Sequence, residues 1–221
     1  MGFNRKQWEF TEKHFKSLWE GKYKGKKMLE LGCQEIKHGL LRRLEREGVL
    51  DKKNRSRDAK SFFKKIGFEV VSIDKIKCFA SKQLDLRKPF PDKYINEFDV
   101  VTNYGTTEHV WPRKYQYESF KNIHDALKVG GIFIHIVPGY KSRSSHARLN
   151  YDKGFFPSLA KMNNYEIIEI NNELNRGYKL CHIAACMIKK RDTSFSDNRK
   201  EFFKHIIKLD LKTLKKYKKM D

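Results

Sequence analysis

The sequence predicts a doubly wound α/β domain: a mostly parallel sheet, helices on both faces, and an antiparallel hairpin at the C-terminal edge. Three observations predict it. Short apolar runs alternate with stretches of helical periodicity, as strand and helix do in a sheet covered on both faces. The first two runs end on a glycine and on a carboxylate. The last two follow one another with only a short Gly-containing turn between them, as in a hairpin.

Residues 5–20 place Trp8, Phe15, Leu18 and Trp19 among charged side chains at helical spacing, predicting an amphipathic first helix. Lys27-Met-Leu-Glu-Leu-Gly32 reads as a first strand, followed by a helix over 36–47 and a polar break over 51–57. The pattern repeats with a helix over 58–66, a stop at Gly67, and a strand Phe68-Glu-Val-Val-Ser-Ile-Asp74. Phe98-Asp-Val-Val-Thr-Asn103 is a further strand and 118–127 a helix. Gly130-Gly131 introduces the most apolar strand, Ile132-Phe-Ile-His-Ile-Val137, which Pro138-Gly139 ends. A helix over 155–162 precedes the two hairpin strands, 165–170 and 180–188, with the turn at 175–177. From residue 192 the chain is polar and lysine-rich, with Phe202, Phe203, Ile206, Ile207, Leu211 and Leu214 at helical spacing. The expected organisation is therefore a domain over 1–191 and a basic amphipathic helix over 192–221, suited to packing on its own domain, self-association or a membrane surface.

Composition narrows the class of function. Across 221 residues, 48 Lys+Arg against 27 Asp+Glu give a formal charge of +21, which favours anionic partners. With 39% hydrophobic and 13% aromatic residues the chain can bury a core, which excludes disorder for most of its length. It lacks an apolar run long enough to span a membrane and an apolar leader, so a soluble, cytoplasmic protein is expected. Cys33, Cys78, Cys181 and Cys186 are scattered without a C-x-x-C pair, and neither a zinc site nor a disulfide is expected.

An open parallel sheet binds ligands beyond the carboxyl ends of its strands. Gly32 ends the first strand where close backbone approach is needed, Asp74 ends the second, and Asp85 follows in Leu84-Asp-Leu86. A glycine turn followed by an acid on the next strand seats an adenosine, the acid accepting hydrogen bonds from the ribose hydroxyls. The first turn, Gly32-Cys-Gln-Glu-Ile36, lacks the second and third glycines that a pyrophosphate requires, which disfavours a dinucleotide.

Taken together, Leu29-Glu-Leu-Gly-Cys33, Val71-Ser-Ile-Asp74, Leu84-Asp-Leu86, Phe98-Asp-Val-Val-Thr-Asn103 and Leu127-Lys-Val-Gly-Gly131 resemble the class I S-adenosylmethionine-dependent methyltransferases, in order and approximate spacing, over about residues 25 to 190. The resemblance implies a Rossmann-like, seven-stranded sheet with S-adenosylmethionine as the cofactor. It implies that Glu30, Gly32 and Cys33 border the methionine part, that Asp74 and the adjoining Lys75 meet the ribose, and that Asp85 and Leu86 face the adenine. Asn103 and Tyr104 would lie under the sulfonium and near the acceptor.

Asn103-Tyr-Gly-Thr-Thr-Glu-His109-Val-Trp111 follows the fourth strand and is rich in groups that hydrogen-bond or take a proton. His109 suits a base for an attacking hydroxyl, because an unperturbed imidazole titrates near neutral pH. Glu108 is placed to orient it. The long basic segment after the fifth strand adds His146, Asn150 and Tyr151 as acceptor contacts, with Lys141, Arg143 and Arg148 for an anionic group. The Glu108-His109 step also resembles metal-assisted O-methyltransferases, which would set a cation on Glu108, His109 and His146. Gly105 stands where those enzymes carry a further Glu, and no metal is assigned.

The run through 103–131 resembles a bacterial methyltransferase subgroup associated with glycan or surface-sugar modification, implying O-methylation of a sugar or similar metabolite. The expected reaction is methyl transfer to an oxygen, rather than a nitrogen, of a small polar, anionic acceptor. Two alternatives stay open: an RNA methyltransferase tracking phosphates with the basic surface, and a non-catalytic binding protein that has kept the fold.

Overall fold

The computed structural model describes residues 2–51, 57–79, 81–140, 142, 147–174 and 181–209. The first helix, α1 (Arg5–Trp19), starts where Asn4 and Gln7 cap one another reciprocally, each side chain accepting from the other's backbone amide. Its apolar stripe buries Trp8 and Phe15. β1 (Lys27–Leu31), α2 (His38–Arg46), α3 (Ala59–Lys65) and β2 (Glu69–Asp74) follow, with Asp58 capping α3 through its Ser61 amide. Then come the two-residue β3 (Lys82–Gln83), β4 (Phe98–Tyr104), α4 (Gln116–Ala126) and β5 (Leu127–Pro138).

The described residues form a seven-stranded sheet ordered β3-β2-β1-β4-β5-β8-β7. β7 (Tyr165–Leu174) and β8 (His182–Lys189) are the expected antiparallel partners, β8 also running antiparallel to β5, while β1 to β5 are mutually parallel where they pair. The hairpin turn expected at 175–177 lies outside the described residues.

Both faces of the sheet are buried, and side-chain alternation sorts residues between two cores. Leu29, Leu31, Val101, Phe133 and Val137 face one core, with α4 and α5 (Phe155–Asn163). Met28, Val100, Tyr104, Ile132, Ile134 and Ile136 face the other, with α1, α2 and α3. Because β1, β2 and β4 are parallel, with Leu31 paired to both Ile73 and Asn103, their carboxyl ends share one edge. The loops that follow β1, β2 and β4 leave from that edge.

The C-terminal region departs from the expected uninterrupted helix. α6 (Arg199–Lys204) is short, and β9 (Ile206–Lys208) pairs antiparallel with β6 (Leu149–Tyr151). Phe202 and Ile206 fit a helical stripe by spacing, yet the chain turns between them so that both reach the core beside Tyr151 and Phe155. Arg113 holds this return by hydrogen-bonding the Phe203 carbonyl, and Asp152 binds the His205 ring at 2.9 Å. Leu211 and Leu214 lie outside the described residues. Among the described residues, no helix is long and apolar enough to cross a membrane.

Candidate active site

A cleft of about 250 Å³ opens at the shared carboxyl edge of β1, β2 and β4. Of the residues predicted from sequence, Gly32, Cys33, Asp74, Lys75, Asp85, Leu86 and His109 line it. Gly32 has φ +73°, the left-handed region that favours glycine, and its amide donates to the Ile73 carbonyl at 2.8 Å. A Cβ there would overlap the Thr106 hydroxyl, which is itself fixed on the Leu31 carbonyl at 2.7 Å. This glycine is therefore required by both backbone conformation and contact.

Asp74 stands at the cleft wall with both carboxylate oxygens oriented by amides. Oδ2 accepts from Cys33 N at 2.9 Å and Oδ1 from Ile76 N at 3.0 Å. Asp85 is gripped by Arg87, whose Nε lies 2.9 and 3.0 Å from its two oxygens and whose Nη2 lies 2.6 Å from Oδ2. Those hydrogen bonds hold the Asp85 carboxyl below the usual carboxylate range. Leu84, Leu86 and Ile73 supply the apolar part of the wall.

Tyr104, Asn103, Glu30, Glu108, Asn150 and Tyr151 are not brought to the cleft, though the sequence predicts them for it. Tyr104 is fully buried on the opposite face of the sheet, its ring 4.7 Å from Phe3 and its hydroxyl 2.9 Å from that of Thr11. Strand alternation is the reason, since neighbours on β4 face opposite cores. Asn103 is likewise fully buried and braces the loop instead. Its Oδ1 accepts from the amides of Thr106 and Thr107 at 3.2 and 3.3 Å, and its Nδ2 donates to the Thr107 hydroxyl at 2.9 Å. Glu30 sits beneath the glycine loop, its carboxyl pushed up to about 8 chiefly by burial and eased by the Ser72 hydroxyl and the Gln34 amide. Glu108 lies buried behind the wall. His146, with Lys141 and Arg143, lies outside the described residues.

The loop after β4 forms a single 3₁₀ turn over Thr107–His109. That turn sends His109 to the cleft, with its side chain 40% exposed, and seals Glu108 inside. Glu108 Oε1 is 3.7 Å from His109 Nε2, and neither Glu108 carboxylate oxygen has a hydrogen-bond partner among the described residues. Burial pushes the Glu108 carboxyl up to about 8. Behind it, Tyr151 donates to Gln116 Oε1 at 2.7 Å, its hydroxyl oxygen lies 2.9 Å from Thr107 Oγ1, and Gln116 Nε2 donates to the Thr107 carbonyl at 2.6 Å. His135 Nδ1 faces Asn103 Nδ2 at 3.2 Å, and burial drives its imidazole down to about 3, so it stays neutral. Tyr151, expected as an acceptor contact, belongs to this support and is fully buried, and Asn150 is buried too, donating to the Ser142 carbonyl at 2.9 Å.

The sequence carries no signal for Arg87, marks Gln34 only as a missing glycine, and leaves Thr106 and Trp111 without individual roles. Trp111 lines the cleft mouth beside His109. The Arg148 guanidinium lies 5.7 Å and the Lys208 ammonium 5.3 Å from its ring centroid. Arg148 immediately precedes β6 and Lys208 ends β9, and both are exposed. Gln34, where a second glycine would stand, points its Nε2 at Thr106 Oγ1 at 3.4 Å.

The cysteines correct the sequence expectation. Cys33 and Cys78 are joined as a disulfide, with Cα atoms 6.4 Å apart. They are 45 residues apart in sequence, but the loops that carry them leave neighbouring parallel strands at the same edge. Among the described residues no group of His, Cys, Asp and Glu side chains converges as a metal set.

No protein-family model and no curated protein matches the chain. Solved structures do. Burkholderia thailandensis 1,6-didemethyltoxoflavin-N1-methyltransferase, bound to its substrate and S-adenosylhomocysteine, is 13% identical with a TM-score of 0.55, over 85% of this chain and 78% of that one. The N-methyltransferase NodS of Bradyrhizobium japonicum, also with S-adenosylhomocysteine, is 11% identical with a TM-score of 0.54, over 84% and 88%. An S-adenosylmethionine-dependent methyltransferase of Clostridium acetobutylicum is 12% identical with a TM-score of 0.51, over 83% and 91%. The chain has the Rossmann-like class I methyltransferase fold.

Proposed function

We infer that the protein is an S-adenosylmethionine-dependent methyltransferase that methylates an oxygen of a small, polar, anionic acceptor. The observation that carries this is the convergence of Gly32, Asp74 and His109 on one cleft in a fold whose solved relatives hold S-adenosylhomocysteine. The residues fit an adenosyl group. A Cβ would fill the cradle at Gly32, Asp74 offers carboxylate acceptors at the wall, and Leu84, Leu86 and Ile73 give an apolar surface for a base. Bound there, S-adenosylmethionine supplies an electrophilic methyl group.

The chain's own contribution is placement and proton handling. Asp74 and Gly32 fix the adenosyl end, and Trp111 with Arg148 and Lys208 forms a cationic mouth that draws in a phosphate or carboxylate. His109 takes the proton of an attacking hydroxyl. Burial keeps the Glu108 carboxyl neutral near pH 7, so it backs the His109 ring without carrying a charge of its own. Glu108 acts through His109 and is a positioning residue. Holding nucleophile and methyl carbon in line supplies most of the rate.

A sugar or phosphorylated metabolite fits this mouth, in keeping with the glycan-modifying subgroup that the 103–131 run resembles. A nitrogen acceptor is the second reading, favoured by the two N-methyltransferases among the similar structures. Calorimetric titration with S-adenosylmethionine and S-adenosylhomocysteine tests the cofactor, with heat expected from both. Methyl-labelled cofactor incubated with panels of sugars, sugar phosphates, amines and RNA then identifies the acceptor. Absence of heat with both compounds overturns the reading.

A further inference from the structure

The Cys33–Cys78 disulfide stands where the cofactor reading places the ribose. Cys33 lines the cleft, its amide holds Asp74 Oδ2 at 2.9 Å, and the Cys78 sulfur lies 4.0 Å from that same oxygen. Both Asp74 oxygens thus accept an amide and Oδ2 is flanked by sulfur as well, leaving less of the carboxylate for a diol. The bond also ties the glycine loop to the lip after β2, whose exposed residues include Lys75, Lys77, Ile76 and Phe79. Both cysteines are half-buried and reachable from solvent. Cys181 and Cys186 are buried, the Cys186 thiol being pushed up to about 12, so they do not compete for small reagents.

We propose that Cys33 and Cys78 are a reversible thiol–disulfide site, served by a low-molecular-weight disulfide such as glutathione disulfide, whose closure weakens adenosyl-cofactor binding at Asp74. This rests on the cofactor reading above. In the closing reaction one protein thiolate attacks a sulfur of the small disulfide, forming a mixed disulfide and releasing one glutathione thiolate. The second protein thiolate attacks the protein sulfur of the mixed disulfide, forming the Cys33–Cys78 bond and releasing the second. Two protein thiols lose two electrons, the small disulfide gains them, and the two protons pass to the two glutathiones. Reduction frees the two loops to separate and exposes the shielded oxygen to the ribose. Loss of one hydrogen bond to a charged acceptor sets the scale of the effect at about tenfold in Kd.

The test uses the full chain poised with glutathione disulfide or with dithiothreitol. Alkylation and peptide mass analysis report the state of Cys33 and Cys78, and calorimetry with S-adenosylhomocysteine reports affinity. The oxidised protein is expected to bind about tenfold more weakly. Affinity should return on reduction, and Cys78→Ser should bind like the reduced protein under both conditions. Equal affinity in the two states, a bond that survives native reduction, or a pair that glutathione disulfide never closes would each overturn the proposal. Absence of heat in every state, Cys78→Ser included, instead removes the cofactor reading on which it rests.

Discussion

His109 Nε2 and Glu108 Oε1 lie 3.7 Å apart across the cleft wall, the imidazole on the open side and the carboxyl sealed behind it. A single 3₁₀ turn sends consecutive side chains to opposite sides of the wall, so a solvent-accessible base is backed by a group that burial holds neutral. For an oxygen acceptor, His109→Gln is expected to lower kcat about 10²- to 10⁴-fold at pH 7. Affinity for S-adenosylhomocysteine should stay nearly unchanged. Glu108→Gln should alter the kcat profile above about pH 8, where the parent's carboxyl ionises, while leaving KM for the cofactor in place. A nitrogen acceptor, attacking through an existing lone pair, would leave His109→Gln nearly as active as the parent, so steady-state kinetics separates the two readings.

Asp74 is the only carboxylate assigned to the ribose, and Asp74→Asn keeps its shape while removing its charge. Titration should show S-adenosylhomocysteine binding weakened about 10- to 100-fold. A melting temperature close to the parent's should accompany it, because an Asn oxygen still accepts from the Cys33 or Ile76 amide.

Gly32→Ala places a Cβ against the Thr106 hydroxyl in a left-handed backbone. A loss of about 1–3 kcal/mol in unfolding free energy is expected, together with weaker cofactor binding. Adding Thr106→Ala relieves the contact and not the backbone preference, so urea unfolding of the double variant should recover only part of the loss.

Glu30 and Glu108 both have carboxyls raised to about 8 in the folded protein by burial. A raised carboxyl stabilises the fold fully below its unfolded pKa, and that contribution is lost as pH climbs through the folded value. Between pH 7 and pH 9, above the range where the buried His135 and His182 titrate, each is expected to remove about 1.4 kcal/mol of stability. Denaturant midpoints across this range should therefore fall, and Glu30→Gln or Glu108→Gln should each flatten the slope. A parent protein equally stable at both pH values would contradict the burial of these charges.

Combining Arg148→Ala with Lys208→Ala strips the cations from the Trp111 mouth. For a phosphorylated acceptor, KM should rise about tenfold and lose its dependence on salt, as expected when charge steering is removed. Cofactor affinity and turnover at saturating acceptor should change little.

Much of this was legible in the chain. Apolar runs at 27–32, 68–74, 98–103 and 132–137 marked the strands, and Gly32 and Asp74 at the ends of the first two, with Asp85 and Leu86 shortly after, marked the cleft. What escaped had physical causes. β4 is buried on both faces, so no polar alternation marks which side Asn103 and Tyr104 take. β6 and β9 are three residues each, too short for a period to register. Phe202 and Ile206 satisfy a helical spacing that the chain abandons at His205. The pairing of Cys33 with Cys78 depends on strand adjacency, which spacing does not encode.

The return of the chain through β9 divides inheritance within the molecule. On the proposed reading, the residues assigned to the cofactor lie at or before residue 87, whereas part of the rim proposed to meet the acceptor comes from Lys208. Exchanging only the segment after Asn198 between related proteins would then retune what is methylated while leaving the methyl donor untouched.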